Sequence, residues 1–322
     1  MTLDVMARNA EQRAARTPGT APAASAMSPA PPAAPVAHRR ARRWKPIFIH
    51  LALLVICAGA LVPFLWMVST SFKTLDNAMR FPPQVIPRPF VPQNYLDVLQ
   101  NQRLHFLLWA RNSLVIAALV VAGTTLSSAI VAYGFARLRF PGRGVLFGVM
   151  LATMMIPFPV TMVSLFSLFR WMGDHTGVQW LGTFKPLWVP AWFGSAFSIF
   201  LLRQFFMTIP TELSEAARID GCGELGIFFR VVLPLSKPAL TVVALFAFMG
   251  VWNDFLGPLV YLQRPEQFTL ALGLQNFQSQ LGGTPWHQLM AASVLVILPV
   301  LLLFFVGQRA FVQGISTTGM KG

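Results

Sequence analysis

Asn253 and Asp254 interrupt a long apolar run, and Asp254 is the one carboxylate inside any such run of this chain. A lone carboxylate is strongly unfavourable in hydrocarbon, so the pair must face protein or water. Two uses fit: contact with a polar solute on a path through the protein, or bracing of a neighbouring helix. Other chemistry is scarce. Gly221-Cys222-Gly223-Glu224-Leu225-Gly226 spells G-x-G-x-x-G, but no strand precedes it and no βαβ unit surrounds it, so it cannot cradle a pyrophosphate. No G-x4-G-K-[ST] phosphate loop occurs, and His38, His50, His105, His175 and His287 show no paired metal-ligand spacing. Neither catalytic residues nor a metal nor a cofactor is expected, and the chain does not read as an enzyme. Cys57 lies in an apolar run and Cys222 in a polar connector, so no disulfide is expected.

The elements that carry these residues are built for lipid. Of 322 residues, 55% are hydrophobic and 11% charged, an imbalance that one water-soluble core could not hide. Uncharged runs long enough to cross ~30 Å of hydrocarbon occur at Ile47 to Phe72, Ser113 to Ala136, Val145 to Phe169, Leu187 to Leu202, Ala239 to Leu262, and Leu289 to Val306. The fold class is therefore an all-α integral membrane protein with six transmembrane helices. Pro63, Pro157, Pro159, Pro190, Pro258 and Pro299 lie in five of these runs, each removing a backbone hydrogen bond and permitting a kink. At ~1.5 Å per residue Asp254 stands roughly 24 Å beyond Pro238, in the far third of a bilayer. Gly144 and Gly148 suit close helix packing. Residues 1–43, rich in Ala, Pro, Ser and Thr, have little to bury and read as a disordered tail, leaving 44–322 as the membrane domain. The first apolar run continues well past Cys57, which follows Ile56 rather than a small residue, so it reads as a retained anchor.

Basic residues set the orientation. Arg39, Arg40, Arg42, Arg43 and Lys45 precede the first run, Arg137, Arg139 and Arg143 crowd the second connector, and Arg203, Arg218, Arg230 and Lys237 occupy the fourth. These are alternate connectors on one side, which the positive-inside rule makes cytoplasmic, with both termini. Trp66, Trp109, Trp171, Trp180, Trp188, Trp192, Trp252 and Trp286 fall at or near the opposite ends, where an interfacial aromatic belt accounts for most of them. The net charge of +14 then reports topology and contact with anionic lipid rather than nucleic acid.

The fourth connector, about 208–236, has internal order. Pro210 suits a first helical turn, and Glu212 and Glu215 favour the positive end of a helix dipole. Leu213, Ala216 and Ala217 share one face of that helix, and Gly221 stops it. Leu225, Phe228, Phe229 and Val232 then repeat with helical spacing, predicting a second amphipathic helix that ends before Pro234. The residues alone leave open an amphipathic connector lying on the membrane and a surface on which another protein docks.

Glu215-Ala216-Ala217-Arg218-Ile219-Asp220-Gly221, followed nine residues later by Val231-Val232-Leu233-Pro234, resembles the EAA-x3-G-x9-I-x-L-P loop of bacterial ABC-importer permeases. Val231 replaces the family's usual isoleucine. From about Trp44 to Gly322 further fragments are similar to the carbohydrate-uptake branch, namely Pro63-Phe64-Leu65-Trp66, Thr70-Ser71-Phe72-Lys73, Asn112-Ser113-Leu114, Tyr133-Gly134-Phe135-Ala136-Arg137-Leu138, Trp252-Asn253-Asp254-Phe255 and Gly319-Met320-Lys321-Gly322. The resemblance is to the six-span maltose-type permease subunit and its glycerol-3-phosphate counterpart.

It implies a sugar importer of the bacterial inner membrane, with an ABC ATPase dimer, a second permease subunit and an extracytoplasmic solute-binding protein as partners. Glu215 would make a charged contact or cap, Ala216 and Ala217 the close-fitting face, Gly221 the corner, and Leu233 and Pro234 the exit into the next span. Asn253 and Asp254 remain the candidates for the path. A competing class, an ion-coupled secondary transporter acting alone, would show repeat symmetry and several midplane ionisable groups, and the sequence displays neither.

Overall fold

The computed structural model describes residues 44–101, 104–275, 277 and 283–318; the expected disordered tail, 1–43, and the C-terminal Gly319–Gly322 fragment lie outside the described residues. No strand occurs among the described residues. Helix α1 (Trp44–Ser71) is followed by α2 (Leu75–Met79) and α3 (Gln93–Gln100). Then come α4 (Phe106–Arg137), α5 (Arg143–Thr153), α6 (Phe158–Thr176) and α7 (Lys185–Trp188). After a 3₁₀ turn at Val189–Phe193, α8 (Ala196–Thr208) leads to α9 (Thr211–Ile219). Next are α10 (Glu224–Ile227), a π-helical turn at Phe228–Val232, α11 (Leu233–Leu235) and α12 (Lys237–Trp252). The chain ends with α13 (Leu256–Tyr261), α14 (Leu270–Gln275) and α15 (Trp286–Thr318).

The chain divides into two compact units, Met1–Ile56 and Cys57–Gly322. In the first, the described side chains from Pro46 to Ile56 form one turn after another of exposed apolar helix. In the second, α4 is the central element, packed against α8 and α12. Small residues make that possible. Ala117, Ala129 and Ala132 are buried along α4, and a side chain at Gly123 would meet the Trp192 ring at 2.5–2.8 Å. Alanine and glycine let helices approach where bulkier residues would hold them apart.

Two apolar clusters occupy the two ends of α4. One joins Ala132, Tyr133, Leu202, Phe206, Ile227, Val232 and Val243. The other joins Val98, Trp109, Ala117, Trp252, Leu270, Phe277 and Ala291.

Among the described residues, three helical segments are long and apolar enough to cross a membrane singly: Pro46–Ser71, Phe106–Arg137 and Trp286–Gln308. Pro63 and Pro299 sit inside continuous helices. The apolar run from Val145 to Phe169 is instead broken: α5 and α6 meet at 98°, with Pro157 extended at the N-cap of α6 and Pro159 in its first turn. Proline has no N–H to donate and clashes with the preceding turn, so a pair of them ends one helix and starts another.

The run from Ala239 to Leu262 is broken as well, because α12 stops at Trp252 and α13 begins at Leu256. Two further sharp bends flank the polar connector. The segment Lys185–Thr208 meets α9 at 75°, and Glu224–Leu235 meets α12 at 79°. Both halves of the connector thus lie across the ends of the apolar helices that they join.

Several tryptophans depart from the interfacial expectation. Trp109 and Trp252 are buried and donate their indole N–H groups to Pro265 O at 2.7 Å and Val296 O at 3.1 Å. Trp192 packs on Gly123, midway along α4. An indole that finds an internal acceptor is stabilised inside the protein, and position in the sequence does not reveal which will find one.

Candidate functional site: the connector between α8 and α12

Pro210 stands at the N-cap of α9 with extended backbone, Glu212 lies in the first turn and Arg218 in the last, so both charges complement the helix dipole. The stop is a complete Schellman motif. Gly221 takes φ +83°, its N–H bonds Arg218 O at 3.0 Å, and the Cys222 N–H bonds Ala217 O at 2.9 Å. A Cβ at Gly221 would meet nothing within 4 Å, so glycine is required there for its backbone conformation rather than for space.

The faces of α9 differ from the sequence expectation. Ser214 is buried and Ala217 half-buried against the core cluster, whereas Leu213, Glu215 and Ala216 face outward. Ile219 is 87% exposed and Leu225 74%. The second half differs more. Instead of an α-helix ending before Pro234, the chain runs through Pro234 by way of the π turn, in which Leu233 N–H reaches back to Phe228 O. The wider turn relieves the clash that the Pro234 ring would make with the carbonyl four residues earlier.

It also resets the helical phase. Ile227, Phe228 and Val232 are buried while Leu225 and Phe229 face out, which splits the four residues that α spacing placed together. The corner into α12 falls at Ser236, not at Pro234. Ser236 is buried, and its hydroxyl donates to Val232 O at 2.7 Å.

Polar side chains tie this connector to α4. Arg218 donates through Nε and Nη2 to Glu224 Oε1 at 3.0 and 2.8 Å, and Tyr133 of α4 donates its hydroxyl to Glu224 Oε2 at 2.7 Å. The Tyr133 hydroxyl and the Arg218 guanidinium together hold the Glu224 carboxyl below the usual glutamate range. Arg137, the last residue of α4, donates to Phe206 O and Ile209 O at 2.8 and 2.5 Å. Arg203 donates to Phe135 O at 3.2 Å and Arg143 to Leu138 O at 3.0 Å. Guanidinium groups thus serve carbonyls at the ends of α4 and α8, where helices leave acceptors unpaired. These contacts place the arginine-rich second connector and the motif connector at one end of α4.

The sequence-selected residues therefore separate into two groups. Glu215, Ala216, Ala217 and Gly221 lie together on α9 and its stop, and Leu233 and Pro234 follow in α11, with Leu233 half-buried and Pro234 exposed. Asn253 and Asp254 lie apart, in the break between α12 and α13. Asn253 Nδ2 donates to Met249 O at 2.8 Å, and Asp254 Oδ1 accepts the Gly257 N–H at 3.0 Å. Both side chains serve their own backbone: one finishes α12 and the other caps the start of α13.

Sequence reasoning gave no role to Tyr133, Glu224 or Ser236, and took Arg137 only as a marker of orientation. Nor did it assign Asn112, which donates to Glu266 O at 2.9 Å and Phe268 O at 3.1 Å, or Ser113, whose hydroxyl accepts the Leu270 N–H at 2.8 Å. A polar residue inside or at the edge of an apolar run is the signal that marks most of them.

A long-helical membrane protein with a polar, glycine-cornered connector set across its helix ends defines a class, and comparison gives the family. Residues 124–317 match the family described as binding-protein-dependent transport system inner membrane component. The arabinooligosaccharides transport system permease protein AraQ of Halalkalibacterium halodurans is 34% identical, over 82% of this chain and 92% of that one. The sn-glycerol-3-phosphate transport system permease protein UgpE of Pectobacterium atrosepticum is 36% identical, over 85% and 97%. The trehalose/maltose transport system permease protein MalG of Thermococcus litoralis is 30% identical, over 86% and 98%. Among solved structures, a bacterial ABC transporter involved in the import of the acidic polysaccharide alginate shares the fold, with a TM-score of 0.71 at 23% identity, covering 84% of this chain and 97% of that chain.

The chain belongs to the family of binding-protein-dependent transport system inner membrane components. It is a multi-pass permease subunit of an ABC importer and not itself an enzyme; ATP hydrolysis belongs to a separate subunit. Membership decides against an ion-coupled carrier acting alone.

Proposed function

We propose that this chain forms part of the path by which a sugar or sugar derivative enters the cytoplasm, with α9 as the element that takes up the stroke of the ATPase. Six apolar segments cross the membrane, the bent ones included, and both termini and the α8–α12 connector lie in the cytoplasm. A second permease subunit, homologous rather than identical, completes the path, and an extracytoplasmic binding protein delivers the substrate. The relatives named for arabinooligosaccharides, trehalose/maltose and glycerol 3-phosphate support the substrate class.

The observation that carries the coupling role is the form of α9. It lies at 75° to the preceding segment, exposes Leu213, Ala216 and Ile219, and is held to α4 from behind by Glu224. Exposed apolar surface at a polar membrane face serves a protein partner. Glu215 offers that partner a charge, Ala216 lets its backbone approach closely, and Ala217 seats α9 on the core. Gly221, Leu233 and Pro234 set the angle at which movement of α9 reaches α12. Closure of the ATPase dimer then moves α9 and, through Tyr133 and Ser236, α4 and α12, alternating the side from which the path is open. Asn253 and Asp254, at the break between α12 and α13, contact the moving solute.

The test is reconstitution of the assembled transporter with its binding protein. Ala217→Leu and Gly221→Asp are expected to abolish uptake while the subunit still inserts. Normal uptake with normal ATPase copurification in both variants would overturn the coupling role.

A further inference from the structure

At the end of α6, Gly177 takes φ +69° and turns the chain back, so that Val178 O lies 3.6 Å from where a Cβ at Gly173 would stand. Between the helix and the returning strand of chain is a cavity of about 280 Å³ whose walls include Phe169, Arg170, Asp174, Gln179 and Trp180. The turn is fixed at the end of α4 opposite the motif connector. The Gly182 N–H donates to Tyr261 O at 2.9 Å, and Gln267, between the two carbonyls that Asn112 serves, donates to Gly182 O at 2.6 Å. Trp180 stacks on buried Phe169, with centroids 5.2 Å apart and planes 13° from parallel. Phe169 in turn meets Tyr261 of α13 edge-on at 5.5 Å. The aromatic wall therefore adjoins the helix that starts after the Asn253–Asp254 break.

The polar groups of this cavity are open to a ligand. Arg170, Asp174 and Gln179 are exposed and Trp180 is half-buried. Arg170 and Asp174 stand one turn apart on a single face of α6, the spacing at which opposite charges can meet. They do not pair, because Arg218–Glu224 is the one ion pair among the described residues. A guanidinium only donates, a carboxylate only accepts, and a glutamine amide does both. One positive and one negative group leave the lining without net charge, so it favours neither an anion nor a cation. An aromatic wall beside a few donors and acceptors is the lining of a small-molecule site, and a ligand with an apolar ring face and hydroxyls that both donate and accept matches every part of it.

We propose that this cavity is a subsite for a neutral sugar, whose ring packs on Trp180 while its hydroxyls donate to Asp174 and accept from Arg170 and Gln179. The subsite rests on the reading of the chain as a sugar-importer subunit, which puts this end outside the cytoplasm. It narrows the cargo to an uncharged sugar, received beside α13 before it reaches Asn253 and Asp254.

The experiment uses the assembled transporter in nanodiscs, without its binding protein, titrated with maltose, trehalose, arabinotriose and glycerol 3-phosphate and read by saturation-transfer NMR. Uptake of the same solutes is measured in parallel after reconstitution with the binding protein. At least one of the three neutral sugars should bind, and glycerol 3-phosphate should not displace it. Trp180→Leu, Asp174→Asn and Arg170→Gln should each weaken binding on the order of ten-fold. Trp171→Leu, which removes an exposed indole stacked on His175 outside the cavity, should bind as the unaltered protein does. Should Trp180→Leu fail to assemble, the two variants at exposed positions decide. The subsite is overturned if none of the three sugars binds, if glycerol 3-phosphate binds more tightly than they do, or if all the variants bind alike. Loss of binding-protein capture with sugar affinity unchanged also overturns it, and makes the cavity a protein contact. The two readings fail separately: uptake of a neutral sugar without binding at this cavity removes the subsite alone, whereas no uptake of any of the three by the unaltered transporter counts against the sugar reading itself.

Discussion

At the motif end of α4 the fastenings are charged and half-exposed: Arg137, Arg143 and Arg203 on backbone carbonyls, and Glu224 between Tyr133 and Arg218. At the opposite end they are neutral. Trp109, Asn112 and Ser113, all buried, hold the Pro265–Leu270 segment through its backbone, and Gln267 reaches Gly182 O at 2.6 Å. The difference follows from surroundings. A guanidinium is tolerated where water reaches it and where helix ends present negative carbonyls, whereas a dry contact favours neutral donors that carry no desolvation penalty for a charge. The neutral end reads as a fixed frame and, under the coupling role proposed for α9, the charged end is the latch that a partner loads.

That contrast can be broken most directly at the neutral end. Trp109→Ala removes a fully buried indole and should destabilise the subunit by about 3–5 kcal/mol, seen as a large fall in unfolding midpoint with transport lost only in proportion to folded protein. Asn112→Ala leaves the Glu266 and Phe268 carbonyls without their donor and should cost about 1–3 kcal/mol by the same measurement. At Asp254 the expected loss is about 1 kcal/mol for Asp254→Ala. Asp254→Asn, which keeps a capping oxygen, should recover stability; if it still abolishes uptake, the carboxylate acts on the solute as well as on α13.

At the charged end the effect should appear in function rather than stability, because half-exposed ion pairs contribute little. Tyr133→Phe or Glu224→Gln should leave the midpoint nearly unchanged and lower sugar moved per ATP hydrolysed severalfold. An unchanged ratio would mean that Glu224 transmits nothing. Acid gives the smallest effect. Glu224 has a folded pKa below its unfolded one, so its stabilisation is complete above the ordinary glutamate range and is lost as pH falls through the depressed folded value. Hydrogen-exchange protection factors across Thr211–Glu224, taken against the intrinsic rate at each pH, should therefore stay constant from neutrality down to that range and fall only below it, and Glu224→Gln should remove the fall.

The opposite ends differed in legibility too. The motif end was readable because proline, glycine and acidic residues act through local backbone geometry: Pro210, Glu212 and Gly221 start, charge and stop α9 where their types require. The second half of the connector misled the α-periodic reading because Pro234 acts on the turn before it, and the π turn shifted Leu225 and Phe229 to the outside. The neutral end was nearly silent. Trp109 and Trp252 look like interfacial residues until their acceptors, more than 40 positions away in sequence, are seen. Asn253 and Asp254 stood out correctly as polar interruptions, yet their hydrogen bonds to Met249 and Gly257 emerge only once α12 and α13 have ended.

The sequence by itself determined the solvent, the class and the motif connector, because hydrophobic runs, basic connectors and the spacing from Glu215 to Pro234 are properties of the chain taken in order. Tertiary structure alone decided which residues hold that loop in place and where the helices break. Tyr133 and Glu224 are 91 positions apart, and Asn112 and Phe268 are separated by 156. No local rule pairs such groups. Their pairing is set when α4 is buried between α8 and α12, where every polar atom left without water must find whatever partner the packing brings to it.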